Sequence, residues 1–338
     1  MKILVTGGAG FIGSHTVVEL TNAGFDVVIV DNFSNSDQSV LQGIRKTLGF
    51  PVTFYHRDCN DVSALEEIIQ KERIEGVIHF AAFKSVGESV EKPLKYYSNN
   101  VVSTINLLET MLRNKVTNLV FSSSCTVYGQ PDKIPVNEAT PRKPATSPYG
   151  NTKAICEDII RDTVASKVPI KAISLRYFNP IGAHDSALIG ELPRGVPNNL
   201  VPFISQTAAG IRKKLTLFGN DYNTFDGTCM RDFIHVVDLA KAHVSALNLL
   251  RKQKNDNFYD VFNIGTGRGN TVLELIETFE RVNNVKVNYE IGTRREGDIE
   301  KIFGDVNKAN EIMNWRAEYT LEDSLQDAWR WELELKKN

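Results

Sequence analysis

Residues 2–31, KILVTGGAGFIGSHTVVELTNAGFDVVIVD, constrain this chain more tightly than any other stretch. Ile3, Leu4 and Val5 form an apolar run long enough for a buried parallel strand and too short for a membrane span. Gly7, Gly8, Gly10 and Gly13 follow at once. The first two permit a tight turn with positive φ, Gly10 lets backbone N–H groups approach a phosphate, and Gly13 lets the next helix pack close. Over residues 13–23, Val17, Val18 and Leu20 give an amphipathic helix whose N-terminus would face a pyrophosphate. Gly24 ends it, residues 27–30 read as a second buried strand, and Asp31 closes that strand. Glycines mark many ordinary turns, so a lone Gly-x-Gly-x-x-Gly is weak. Here it follows a strand, opens a helix and is answered by an acid about 20 residues on, which favours a dinucleotide site. A carboxylate at the end of the second strand accepts from a ribose 2′-OH and repels a 2′-phosphate, so NAD is favoured over NADP.

Strand and helix then alternate. Residues 52–56, 76–80 and 119–121 read as further strands, with helices at 93–97 and 100–112. The alternation predicts an α/β fold with a right-handed, doubly wound parallel sheet of Rossmann type, whose ligands bind at the carboxyl ends of the strands. Asp31, Asp58, residues 80–84 and the serines 122–124 all fall at that edge. Asp58 suits either the adenine amine or the N-cap of the following helix. A polar, proline-rich loop over 131–148 leads to a helix beginning near Ser147, and residues 170–175 are a sixth strand. From Arg176 the texture changes, with Pro193, Pro197, Pro202 and interspersed glycines. This places a dinucleotide-binding domain at 1–180 and a smaller mixed α/β substrate domain at 181–338. Residues 233–264, read as strand, helix and strand, are expected to return to the first.

Composition narrows the partners. At 338 residues the chain is long for one core. A net charge of −2 argues against nucleic acid or an anionic membrane as the main partner. Cys59, Cys125, Cys156 and Cys229 are widely spaced, without metal-ligand spacing, which reads as four reduced thiols and no metal. No signal peptide or membrane-length apolar run is read, so a cytoplasmic protein is expected.

Tyr149 and Lys153 stand at i, i+4 and so project from one helix face. Taken alone, an exposed Tyr–Lys pair is the plainer reading. With a dinucleotide loop upstream and Ser124 at a strand edge, an acid/base pair is favoured. A free tyrosine is a poor base at neutral pH, but a nearby ammonium and an oxidised nicotinamide ring favour the phenolate.

Gly7-x-x-Gly10-x-x-Gly13, Ser124 and Tyr149-x-x-x-Lys153 resemble the extended short-chain dehydrogenase/reductase superfamily. VDNFSNS, HFAAFKSVGES, SSSCTVYG, PYGNTK, LRYFNPIGAH, GNDYNTFDGTCMRDFIHVVDLA and FNIGTGRG resemble its nucleotide-sugar 4-epimerase branch, over essentially the whole chain. The resemblance implies interconversion of UDP-galactose and UDP-glucose through a 4-keto sugar and tightly bound NAD, with Tyr149 as base, Ser124 as proton relay and Lys153 on the nicotinamide ribose. It implies NAD contacts from Phe11, Ile12, Asp31, Asn32, Asp58, Cys59, Phe80, Ala81, Lys84, Asn99 and Phe178. Asn179, Asn199, Leu200, Phe218, Arg231, Arg295 and Asp298 would hold UDP, and Ile302 would border the sugar. A homodimer on helices near 95–112 and 149–165 is also implied.

Dehydratases and decarboxylases of the superfamily carry an added acid or base just after the serine. Here Cys125 and Thr126 stand there, so elimination chemistry is not expected. A non-enzymatic NAD-binding protein would not need Ser124, Tyr149 and Lys153 together. Phe233 stands where the family often has tyrosine, which removes a hydroxyl from the uridine ribose site.

Overall fold

A computed structural model of the chain describes residues 1–295 and 299–337. β1 (Lys2–Thr6) leads through the glycine turn into α1 (Phe11–Asn22) and β2 (Asp26–Asp31). α2 (Ser39–Leu48), β3 (Thr53–His56), α3 (Val62–Glu72) and β4 (Gly76–His79) continue the alternation. α4 (Val86–Glu91), α5 (Pro93–Tyr96) and α6 (Val102–Arg113) follow, the last two joined by a π-turn over Tyr97–Val101. β5 (Asn118–Ser122), a 3-10 turn (Cys125–Tyr128), α7 (Pro148–Ala165) and β6 (Lys171–Tyr177) come next. β7 (Asn179–Ile181), α8 (Leu200–Ala208), β8 (Leu215–Phe218), β9 (Met230–Arg231), β10 (Phe233–His235), α9 (Val236–Lys252) and β11 (Phe258–Ile264) succeed them. The remainder holds β12 (Asn270–Thr271), α10 (Val272–Asn283), β13 (Tyr289–Gly292), β14 (Lys301–Ile302), α11 (Asn307–Ile312) and α12 (Leu321–Leu335).

Seven strands form one parallel sheet in the order β11-β6-β5-β4-β1-β2-β3. The order reverses between β1 and β4, so the loops after those strands part and leave a crevice. Ile3, Leu4 and Val5 are fully buried, each worth about 1.5–3 kcal/mol. Ile3 and Val5 join the core beneath α1 and α9, whereas Leu4 faces the other side, with Leu107 of α6 and Ile160 of α7. A parallel strand covered on both faces has to be apolar throughout, and this one is.

Residues 233–264 divide on folding. β11 extends the main sheet beside β6, and α9 packs against α1. β10 instead pairs with β7, outside the main sheet. A separate core of Ile204, Phe233, Leu275, Phe279 and Leu325 holds the later elements together. Two boundaries move by a few residues for local reasons. α1 begins at Phe11, because Gly10 takes the cap position in extended backbone. The two helices expected at 93–112 are nearly continuous, because the π-turn inserts its extra residue without breaking them.

Candidate active site

The crevice is a cleft of about 400 Å³ at the carboxyl ends of the strands. One wall is the glycine turn. A Cβ on Gly7, which sits at φ +70°, would lie 2.8 Å from the Ala81 nitrogen, and one on Gly13 would lie 2.3 Å from the Gly7 carbonyl oxygen. The cap of α1 has no side chain to take up its first N–H groups, and its first turn has no acid. Those donors and the helix dipole make an anion site.

Asp31 is buried at the same edge. Its Oδ1 accepts from Phe33 N at 2.9 Å and Ser36 Oγ at 2.8 Å, and its Oδ2 accepts from Ala9 N at 3.0 Å. A carboxylate has about four acceptor positions, so Oδ2 keeps one for a hydroxyl in the cleft. Asp58 does not cap α3; Asp61 does, accepting from Ala64 N at 3.1 Å. Asp58 instead accepts from Asn32 Nδ2 at 2.7 Å and Asn60 N at 2.8 Å, and stays on the cleft. The π-turn sets Asn99 on the cleft, while the next residue, Asn100, bonds Phe83 N and O at 2.9 and 3.0 Å. That holds the floor loop through Phe80 and Ala81 in place.

α7 starts where Ser147 accepts from Gly150 N at 3.1 Å, with Pro148 in the first turn. This start puts Tyr149 and Lys153 on the cleft beside Ser124. Lys153 is 3% exposed, donates to the Ser122 carbonyl at 2.6 Å, and lies 5.0 Å from the Phe121 ring centre. Burial pulls its ammonium down to about 8, against which Cys156 and Glu157 act. Burial pushes the Tyr149 phenol up to about 12, opposed by a hydrogen bond with Ser124. Without the nicotinamide charge that the sequence reading counted on, the protein's own groups keep Tyr149 protonated. A phenolate at pH 7 costs about 7 kcal/mol from that starting point, so further positive charge must be brought to it. Cys125, just after Ser124, is buried with its thiol pushed up to about 12, and neither it nor Thr126 can serve as an acid or base near neutrality.

Every residue read from the sequence as catalytic or dinucleotide-binding lines this cleft, as do Asn179 and Asn199. Five nucleotide-sugar residues do not line it. Leu200 opens α8 and Phe218 ends β8 with its side chain exposed. The Arg295 guanidinium lies 5.9 Å from the Phe218 ring, and Arg231 on β9 donates to the Met230 carbonyl at 2.9 Å. Ile302 is 2% exposed, packed among Cys125, Tyr128, Val136 and Phe178. Asp298 lies outside the described residues. The sequence reading missed Tyr177, whose hydroxyl bonds that of Ser122 at the cleft. The strand-edge rule that found Asp31 could have found it, since Tyr177 ends β6. It also missed Glu191, which accepts from Lys84 Nζ at 3.2 Å and from Asn199 Nδ2 at 2.5 Å. Nothing periodic marks that loop. Among the described residues no cluster of metal-ligating side chains occurs, and no helix is long and apolar enough to cross a membrane.

The family profile described as GDP-mannose 4,6 dehydratase matches residues 4–328. A UDP-glucose 4-epimerase from Dictyostelium discoideum is 49% identical over 331 residues, covering 98% of this chain and 95% of the relative. The solved UDP-glucose 4-epimerase from Stenotrophomonas maltophila, with bound NAD and formylated UDP-arabinopyranose, superposes with a TM-score of 0.97 at 46% identity. It covers 100% of this chain and 99% of that one. The Bifidobacterium longum UDP-glucose 4-epimerase, in complex with NAD+ and UDP, gives a TM-score of 0.94 at 43% identity, covering 99% and 98%. The profile's dehydratase name is broader than the site, where Cys125 and Thr126 replace any acid. On fold, site and relatives together, the chain belongs to the UDP-glucose 4-epimerase family of the extended short-chain dehydrogenase/reductase superfamily.

Proposed function

We propose that this chain interconverts UDP-galactose and UDP-glucose, using NAD held through the cycle. The observation that carries the reading is one cleft joining a side-chain-free helix N-terminus and the Asp31 acceptor to Ser124, Tyr149 and Lys153. NAD fits these donors: the glycine turn and the α1 N-terminus would take its pyrophosphate, Asp31 Oδ2 a ribose hydroxyl, and Ala81 a flat ring face. Bound there, NAD supplies reversible hydride exchange with C4 of the sugar.

The chain's own groups handle the proton. Tyr149 exchanges it with the C4 oxygen, and Ser124 hydrogen-bonds that oxygen and passes the proton. Lys153, fixed by the Ser122 carbonyl, adds charge that favours the phenolate. Asn179, Asn199, Leu200, Phe218, Arg231, Arg295 and Asp298 are read as the UDP residues, the arginines for the diphosphate. Residues 1–180, with α9 and β11, are read as the dinucleotide domain and the rest as the substrate domain. A homodimer is supported by Val90 of α4, Leu94 of α5 and Val102 and Ile105 of α6, each an exposed apolar side chain. Four buried free thiols are compatible with a reducing, cytoplasmic setting. The purified chain should convert UDP-galactose to UDP-glucose without added reductant and release dinucleotide on denaturation. A chain isolated empty that turns over only with added NAD would point to a dehydrogenase.

A further inference from the structure

The face of α7 that carries Tyr149 and Lys153 continues one turn further to Glu157, a buried carboxylate that the proton chemistry does not use. These three side chains meet three consecutive serines at the end of β5. Tyr149 meets the Ser124 hydroxyl, Lys153 donates to the Ser122 carbonyl at 2.6 Å, and the Ser123 hydroxyl donates to Glu157 Oε1 at 2.5 Å. The third rung is locked from behind by Arg176 of β6, whose Nε and Nη2 donate to Glu157 Oε1 and Oε2 at 2.9 and 2.6 Å. Glu157 is 2% exposed, Arg176 6% and Ser123 0%.

We propose that Glu157, clamped between Ser123 and Arg176, is a positioning residue of the active site. It fixes the register of α7 against the end of β5, and supplies the negative charge facing the buried Lys153 ammonium. The proposal rests on the assignment of Ser124, Tyr149 and Lys153 to the proton chemistry. Ser123 is the link that makes the clamp more than a buried ion pair. It lies between the residue whose carbonyl holds Lys153 and the residue whose hydroxyl meets Tyr149, so its displacement moves both neighbours.

The charges around the clamp fix the sign of the pH effect. Lys153 is faced by His79 of β4, by Cys156 and Glu157 of its own helix, and by the Phe121 ring. His79 is held neutral by burial and Cys156 is a buried thiol, so Glu157 is the carboxylate that favours the ammonium. Glu157 in turn faces Arg176, Arg142 at 3.6 Å from the segment before α7, Tyr128 of the 3-10 turn and Tyr259 of β11. Removing its charge therefore lowers the pH at which Lys153 loses its proton. Below that pH Lys153 keeps its charge, so the acid side of the profile, where Tyr149 must give up its proton, stays where it is.

The test is steady-state epimerisation of UDP-galactose by the full chain from pH 5.5 to 9.5, with UDP affinity and thermal unfolding measured in parallel. Ser123→Ala should lower kcat roughly 10-fold, within the ~10²-fold that a misplaced catalytic group can cost, and leave KM and UDP affinity within about twofold. Glu157→Gln should lower kcat and narrow the pH profile from its alkaline side by roughly one unit. If Glu157→Gln does not fold, the double variant Glu157→Gln/Arg176→Met removes both buried charges and should show a narrowed profile too. A Ser123→Ala enzyme with normal kcat, or Glu157 variants whose profiles superimpose on the parent while only thermal stability falls, would overturn the proposal. Tyr149→Phe is the control. If it retains turnover, the assignment of the acid/base residues fails instead, whatever the clamp variants do.

Discussion

The two walls of the cleft are built differently. On the sheet side Asp31, Ser124 and Lys153 are buried and held by backbone or side-chain partners before any ligand arrives. On the side of the later elements Asn199 lines the cleft and Phe218 and Arg295 lie beyond it, all three exposed, and the residues read as UDP ligands come from separate loops and strand ends. The difference follows from what each wall has to do. Hydride and proton exchange need atoms fixed to a few tenths of an ångström, and that is obtained by burial and by saturating hydrogen bonds. A nucleotide handle needs donors, a flat apolar face and access, and those tolerate exposure. The sheet wall should therefore respond to perturbation by losing chemistry or folding, and the other wall by losing affinity.

Acid should separate them most strongly. His15 on α1 and His79 on β4 are held by burial at about 3, and His243 on α9 at about 4, all in the sheet half. Their folded values lie below the unfolded value of about 6.5, so their neutral forms cost nothing above that pH, and stability is lost as pH falls through the interval down to 3–4. At pH 5 each can cost up to ~2 kcal/mol. Thermal unfolding followed from pH 8 to 5 should show a steep drop with early release of bound dinucleotide. A flat midpoint across that range would mean these rings are already solvated or charged.

Tyr149→Phe is the sharper cut within the sheet wall. It should lower kcat roughly 10²–10⁴-fold, the span of a positioned acid or base, with UDP affinity measured by calorimetry unchanged. Near-normal turnover would mean another group moves the proton.

The same asymmetry sets what the sequence could reveal. The sheet wall is written in short local patterns: an apolar strand, glycines whose missing Cβ the backbone requires, an acid at the next strand end, and a four-residue Tyr–Lys spacing. Each corresponds to one rigid unit, so each was readable, down to the Ser147 cap. What local pattern cannot carry is the partner an atom finds across the fold. Asp58 was open between cap and cleft because Asp61, three residues on, competes for the same role. Tyr149 was expected to be acidified by two charges together, Lys153 one turn away and the positive nicotinamide ring. The fold anchors that ammonium on the Ser122 carbonyl, while burial pushes the phenol up, so the second charge is the part that only a bound ligand supplies. Glu191, joining Lys84 to Asn199 from a loop more than 100 residues from Lys84, has no sequence signature at all.

Phe218→Ala tests the exposed wall. An aromatic face under a base is worth ~1–3 kcal/mol, so UDP affinity should fall roughly 5–150-fold, visible as a raised KM for UDP-galactose with kcat little changed. A fall in kcat at constant KM would place Phe218 among the groups that act on the transition state, and the division between the walls would fail.

Ile302 tests where the walls meet. The resemblance puts it beside the C2 substituent of the sugar, yet its side chain lies behind Cys125 and Phe178, which line the cleft themselves. Its influence must pass through those two neighbours. An acetamido group exceeds a hydroxyl by three heavy atoms, and overpacking a filled site costs ~1–3 kcal/mol. UDP-N-acetylgalactosamine should therefore turn over measurably but more slowly than UDP-galactose. Ile302→Val removes one methyl from a stiff β-branched side chain, a change of ~0.5–1.5 kcal/mol in packing. If Cys125 and Phe178 relax into that space, the ratio of the two rates shifts ~2–10-fold toward the N-acetyl sugar. Ile302→Tyr should do the opposite, abolishing the slow reaction and sparing the fast one, with a lowered unfolding temperature because the phenol has to displace a buried neighbour. Equal N-acetyl activity in the parent and Ile302→Tyr would show that Cys125 and Phe178 transmit nothing, and that the sugar is gauged from the exposed wall.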